Sequence, residues 1–160
     1  MNFADTNWLE ALYFEAEDER QNLRCDVVER FMRKEEGQLC ISQIVYLEAR
    51  NVFSRVGEAA EPEEWRRLIS DFNGLLYLDP MNWDFLRRDA FQLFAKYSPK
   101  AGIGTLDMAI LASLKLSGAT RLLSFDETLK AVAAAERITV YPPLADEGKR
   151  LLSRLKTVAR

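Results

Sequence analysis

Histidine is absent from all 160 residues of the chain. That removes serine–histidine and cysteine–histidine hydrolases, and it leaves a zinc site without its commonest nitrogen ligand. Cysteine is scarce: Cys25 and Cys40 are the only two, in no CxxC arrangement. A chain of this length builds enough core to do without disulfide staples, so both read as reduced thiols in or near the core. No apolar run approaches the ~20 residues of a membrane span. The opening stretch MNFADTNWLEALYF has an aspartate and a glutamate where a secretion signal needs basic and then apolar residues, so the expected location is cytoplasmic. Internal repeats, low-complexity tracts and linkers are missing too. Any catalysis must therefore run on carboxylates, hydroxyls, lysine or a metal held by oxygen.

What is present describes a globular α/β domain. Hydrophobic residues make up 48% and charged residues 29%. A net charge of −3 weighs against a protein that coats nucleic acid nonspecifically. The balance reads differently if several acids serve one metal site: setting aside four of the 25 acids leaves 21 against 22 basic residues.

Short apolar runs alternate with amphipathic ones. Strands are expected at 2–5, 38–42, 75–79, 121–125 and 137–141, the last broken by Pro142 and Pro143. Helices are expected at 7–16, 18–37, 43–57, 61–74, 82–98, 104–118 and 126–136, punctuated by Gly37, Gly57, Asn73-Gly74, Asn82 and Pro99. Such alternation means a mainly parallel sheet of about five strands, covered on both faces. The first domain should end near residue 143. In the basic tail 144–160, Leu151, Leu152, Leu155 and Val158 form a stripe that packs on the domain or engages a partner.

Four carboxylates stand out. In parallel sheets, ligands bind beyond the carboxyl ends of the strands, and Asp5 and Asp126 each follow a strand at that edge. Both also precede helices, where aspartate is a favoured cap. Asp107 lies in the first turn of its helix, where the dipole favours an acid, yet it shares a face with Ile110, Leu111 and Leu114. Glu48 likewise follows Ile44 and Val45 along a core-facing stripe, with Arg55 as a candidate ion-pair partner. Four inward acids would persist only with shared protons or a bound cation. Oxygen ligands without histidine select a hard ion, Mg²⁺ or Mn²⁺.

Asp5-Thr6-Asn7 after the first strand, Ser42 and Glu48 around the second, Asp107 opening a helix and Ser-Phe-Asp126 after the fourth strand together resemble the PIN-domain family. Many of its members are metal-dependent ribonucleases, including the VapC-type toxins of bacterial toxin–antitoxin pairs. The resemblance spans residues 2 to 142 and implies a three-layer α/β/α sandwich. It also implies Asp5, Glu48, Asp107 and Asp126 as ligands for one or two Mg²⁺ ions (Mn²⁺ as substitute), direct or through water. Thr6, Asn7, Ser42 and Ser124 fall where such domains place hydrogen-bonding groups near the site, although turn and cap chemistry also accounts for them.

The function implied by the resemblance is that of an endoribonuclease leaving a 5′-phosphate and a 3′-hydroxyl, with an antitoxin partner and a homodimer. The stripe from Leu23 to Met32 is a candidate dimer surface, or core. Basic candidates for gripping RNA are Arg50 and Arg55 beside Glu48, Lys130 beside Asp126, and Arg87, Arg88, Lys96 and Lys100 ahead of Asp107. Trp8, Trp65 and Trp83 are expected to stack on bases or to fill the core. Two other readings compete. A phosphatase or receiver domain also carries acids at this edge, but the former wants a second aspartate where Asn7 stands, and the latter lacks its acid pair even if Asp79 imitates its phosphorylated residue. A non-catalytic PIN-like binding module is the other.

Overall fold

The computed structural model describes residues 1–72 and 74–157. Asn73 and Val158, which belong to the expected helix stop and tail stripe, lie outside the described residues. The strands are β1 (Asn2–Ala4), β2 (Leu39–Ser42), β3 (Leu76–Asp79), β4 (Arg121–Leu123) and β5 (Thr139–Tyr141). The helices are α1 (Thr6–Tyr13), α2 (Glu19–Lys34), α3 (Gln43–Val56), α4 (Glu63–Asp71), α5 (Trp83–Tyr97), α6 (Thr105–Ser117), α7 (Glu127–Ala135) and α8 (Asp146–Thr157). The strands form one sheet, all parallel, in the order β3-β2-β1-β4-β5. Helices cover both faces, giving the expected three-layer sandwich. Among the described residues, no helix is long and apolar enough to cross a membrane.

That order places β1 at the centre, with β2 on one side and β4 on the other. The chain winds outward through β2 to β3, then returns across the sheet to β4, so strand order reverses between β1 and β4. Crevices open at such a reversal, beyond the strands' carboxyl ends. Asp5 and Asp126 sit there because their strands are neighbours.

Element bounds differ from expectation mainly at caps. Asp5, Ser42 and Asp126 are N-caps of the helices that follow. β5 starts two residues late because Arg137 adopts φ +65°, a left-handed turn closing α7. α2 stops at Lys34, and Gly37, at φ +110°, belongs to the turn into β2.

The core joins all three layers. Trp8 is fully buried, stacked on Phe125 and edge-on to Phe31 and Tyr141. Trp65 is buried against Tyr46 and Phe53, so neither ring is free for a base, whereas Trp83 is exposed. The α2 stripe divides: Val28 and Phe31 face the core and Leu23 faces solvent.

The tail is a helix seated on the domain. Leu151 and Leu155 of α8 are buried, and α8 lies against α7. Lys130 fastens the connection. It is 1% exposed, and its Nζ donates to the carbonyls of Pro142 (3.2 Å) and Pro143 (3.5 Å) and pairs with Glu127 at 2.6 Å. Glu127 in turn accepts from the Ala145 N–H at 3.0 Å, just ahead of α8. A Cβ on Gly148 would collide with Glu127 Oε2 and Leu144, so glycine lets α8 approach without displacing either side chain.

Candidate active site

The site is built around Asp5. Its side chain accepts from the Thr6 N–H at 2.8 Å and from the Ser124 hydroxyl at 2.7 Å, which ties β1 to β4 through the acid. Ser124 Oγ also accepts from the Asp126 N–H at 3.0 Å. Asn7 Oδ1 accepts from the Phe125 N–H at 3.0 Å, pinning the loop that carries Asp126 against α1. Thr6 donates its hydroxyl to Glu48, reaching from α1 to α3. Asp126 caps α7 through the Leu129 N–H at 2.8 Å. Thr6, Asn7 and Ser124 therefore hold the acids in place. Ser42 is buried and caps α3 through the Val45 N–H at 3.2 Å, setting the helix that bears Glu48.

Electrostatics shows that the four acids share one neighbourhood. Burial pushes the Asp5 carboxyl up to about 7 despite the bonds from Ser124 and Thr6, and the negative charges of Glu48 and Asp107 add to the rise. Burial also raises Asp107, reinforced by Asp126 and Glu48. Asp107 and Glu48 are both half-buried, as the stripe argument expects of them. Arg55 is exposed, and among the described residues it makes no ion pair with Glu48, whose partner is Thr6.

Whether these residues fit an ion depends on donor chemistry and reach. The donors are carboxylates and hydroxyls, the set that hard divalent cations take. Among the described residues, no three His, Cys, Asp or Glu side chains stand close enough to hold an ion directly. Mg²⁺ usually keeps several waters and takes only one or two carboxylates, so the donor chemistry suits a hydrated ion while the spacing does not make a direct multi-carboxylate cage.

The basic residues depart furthest from expectation. Lys130 is buried, its Nζ turned to the Pro142 and Pro143 carbonyls and not open to a substrate. Arg50 bonds Ser54 at 2.5 Å and the Ala60 carbonyl at 2.7 Å, and lies over Trp65. It is two residues from Glu48, a spacing that points elsewhere on a helix. Lys96 pairs with Glu136, and Arg87 and Arg88 with Asp84 and Asp89. One cation beside the loop that carries Asp126 is a residue that sequence reasoning missed. The Arg24 guanidinium lies 5.2 Å from the centroid of Phe125, the residue between Ser124 and Asp126. Arg24 lines a groove with Asn7, and no local pattern in the sequence announces this contact.

Comparison with known proteins places the geometry in a family. Among solved structures, the fold is similar to a toxin–antitoxin complex from Klebsiella pneumoniae, with a TM-score of 0.63, 15% identity, and 91% of this chain and 100% of that one covered. It is also similar to Mycobacterium tuberculosis VapC20, a sarcin-ricin loop cleaving toxin, with a TM-score of 0.62, 16% identity, and coverage of 82% and 94%. FitAcB from Neisseria gonorrhoeae gives a TM-score of 0.57, 16% identity, and coverage of 89% and 98%. No curated protein sequence matches. The family profile described as PIN domain matches residues 3–135, which include all four acids: the chain belongs to the PIN-domain family.

Proposed function

We propose that the protein is a metal-dependent endoribonuclease and the toxin of a toxin–antitoxin pair. The observation that carries this reading is the cluster of Asp5, Glu48, Asp107 and Asp126 at the sheet reversal, with two carboxyls raised by burial and by one another. Family membership supports nuclease chemistry, and the VapC20 and Klebsiella pneumoniae structures support the toxin role and an antitoxin partner. The same features are what a cytoplasmic protein acting on RNA would need.

Asp5, Glu48, Asp107 and Asp126 would hold one or two Mg²⁺ ions, with Mn²⁺ as substitute. Bound there, the metal supplies an activated water and neutralises charge on the phosphate. The chain's own groups do the rest. Ser124 and the Thr6 N–H fix the Asp5 carboxylate, and Thr6 fixes Glu48, so neither acid must be ordered when substrate arrives. Asp126, held by its cap bond to Leu129, would orient a water at the edge or help hold the ion through water. Arg24, stacked on Phe125, is placed to meet a phosphate flanking the cleaved one.

A homodimer is part of this reading, but through a different face. Val28 and Phe31 are buried, which leaves Leu23 alone exposed on the α2 stripe, whereas Leu47 and Trp83, also exposed, line a groove with Ile44, Tyr46 and Met81. Light scattering of wild type against Leu47→Asp checks it: a dimer that becomes monomeric is expected.

The deciding experiment is cleavage of structured RNAs with Mg²⁺ or Mn²⁺, with EDTA and Asp107→Asn as controls. Cleavage lost with either control is expected. Folded wild type that cuts nothing with any ion would instead favour the non-catalytic binding module.

A further inference from the structure

α8 begins eleven residues after the PIN profile ends at residue 135, yet it forms one wall of a cleft whose other wall includes the first turn of α7, just after Asp126. Glu127 and Thr128, the two residues after Asp126, line that cleft. Gly102, in the segment leading to Asp107, lies across from them. Two cations enter it from separate parts of the chain, Lys100 ahead of α6 and Arg154 on α8. Among the described residues, neither makes an ion pair.

The lining carries two cations and two acids, but one of the acids is already paired. Glu127 is neutralised by Lys130, which leaves Glu147 as the opposing acid against two cations. The wall is also fastened to α7. Lys130 ties Pro142 and Pro143, Glu127 holds the Ala145 N–H, and Gly148 allows contact without a side chain. Arg154 is thus held on a helix fixed to α7, whose N-cap is Asp126, rather than on a loose tail.

We propose that this cleft between α7, α8 and the 100–102 segment binds the phosphate backbone of the RNA strand leading away from the acid edge, with Lys100 and Arg154 as its phosphate contacts. The proposal rests on the nuclease reading for the identity of the strand. A phosphodiester poised at Asp107 and Asp126 has neighbouring phosphates, and the cleft starts at the residue after Asp126. Cations without an ion-pair partner among the described residues are what a polyanion requires there, since each phosphate contact releases a counterion.

The test is binding of a fluorescein-labelled single-stranded RNA in Mg²⁺, read by anisotropy across a salt series, in the Asp107→Asn background so that no strand is cut. Adding Lys100→Ala and Arg154→Ala should weaken binding about 10-fold and lower the salt slope by roughly 0.7 per lost phosphate contact. Lys149→Ala, an exposed cation of α8 outside the cleft, should change neither. Equal affinity and slope in the double variant would overturn the proposal, as would no RNA binding at low salt; an acidic protein segment would then be the better occupant. The nuclease reading fails separately, on wild type that does not cleave.

Discussion

The two ends of α7 carry acids with opposite fates. At its start, Asp126 joins a cluster in which burial and neighbouring acids push Asp5 up to about 7. At its end, burial would raise Glu136 too, but bonds from Lys115, Lys96 and Tyr97 hold it down to about 2. A helix C-terminus is the wrong end for an acid on dipole grounds, and Glu136 is kept there by two lysines. The difference separates an acid that holds structure from acids held by structure. The first is given cations. The second are given hydroxyls and N–H groups that orient them, and among the described residues no cation is paired with them.

Substitutions at the two ends should therefore have opposite consequences. Asp107→Asn should lower RNA cleavage by about 10³-fold, as loss of a metal-holding or transition-state group does, while leaving the melting temperature unchanged or slightly higher because one like charge is gone. Cleavage and thermal melts on the same preparation check both halves. A clear drop in melting temperature would mean that Asp107 is structural and the comparison is misdrawn.

Lys130→Met probes the fastening between α7 and α8. It leaves Glu127 without its cation and the Pro142 and Pro143 carbonyls without a donor, which should cost about 3 kcal/mol. In a chain of this size that is a fall of roughly 10 °C in melting temperature, measured by calorimetry. An unchanged midpoint would show that α8 is held by Leu151 and Leu155 alone.

Glu136→Gln should cost about 1 kcal/mol, modest because Lys96 and Lys115 are partly exposed, and should leave cleavage intact. The pH dependence comes from a folded-state pKa below the usual value. The contribution is complete above the unfolded carboxyl value near 4.5 and is lost as pH falls toward about 2. Urea melts of wild type and variant should differ at neutral pH and converge near pH 2. A gap that persists there would assign the effect to packing rather than charge.

The fold was legible because five short apolar runs were each bracketed by glycine, proline or acid-rich punctuation, and a parallel sheet needs little more. The acids were legible for a related reason: Asp107 and Glu48 interrupt apolar helix faces, and periodicity alone exposes that. Lys130 was not, since nothing within DETLK says that the carbonyls of Pro142 and Pro143 will close over it. Neither was the split of the α2 stripe, where helical spacing marks Leu23, Val28 and Phe31 alike and only packing against Trp8 decides which are buried. Arg50 misled because sharing a helix with Glu48 says nothing about sharing its direction.

Arg24 is the hardest of these to read from sequence and gives the smallest expected effect. Its guanidinium stacks on Phe125, so removing it touches the loop between Ser124 and Asp126 without removing an acid. Arg24→Ala should raise KM roughly three- to five-fold through a lost phosphate contact, with a smaller change in kcat. Arg24→Lys should recover part of the salt dependence but not the stacking, because an ammonium lacks the planar face that lies on the ring. A fall in kcat without a change in KM would instead make Arg24 a positioning residue for Asp126, acting through Phe125. Steady-state kinetics of both variants at two salt concentrations separates a cation that meets the substrate from one that braces the acid edge.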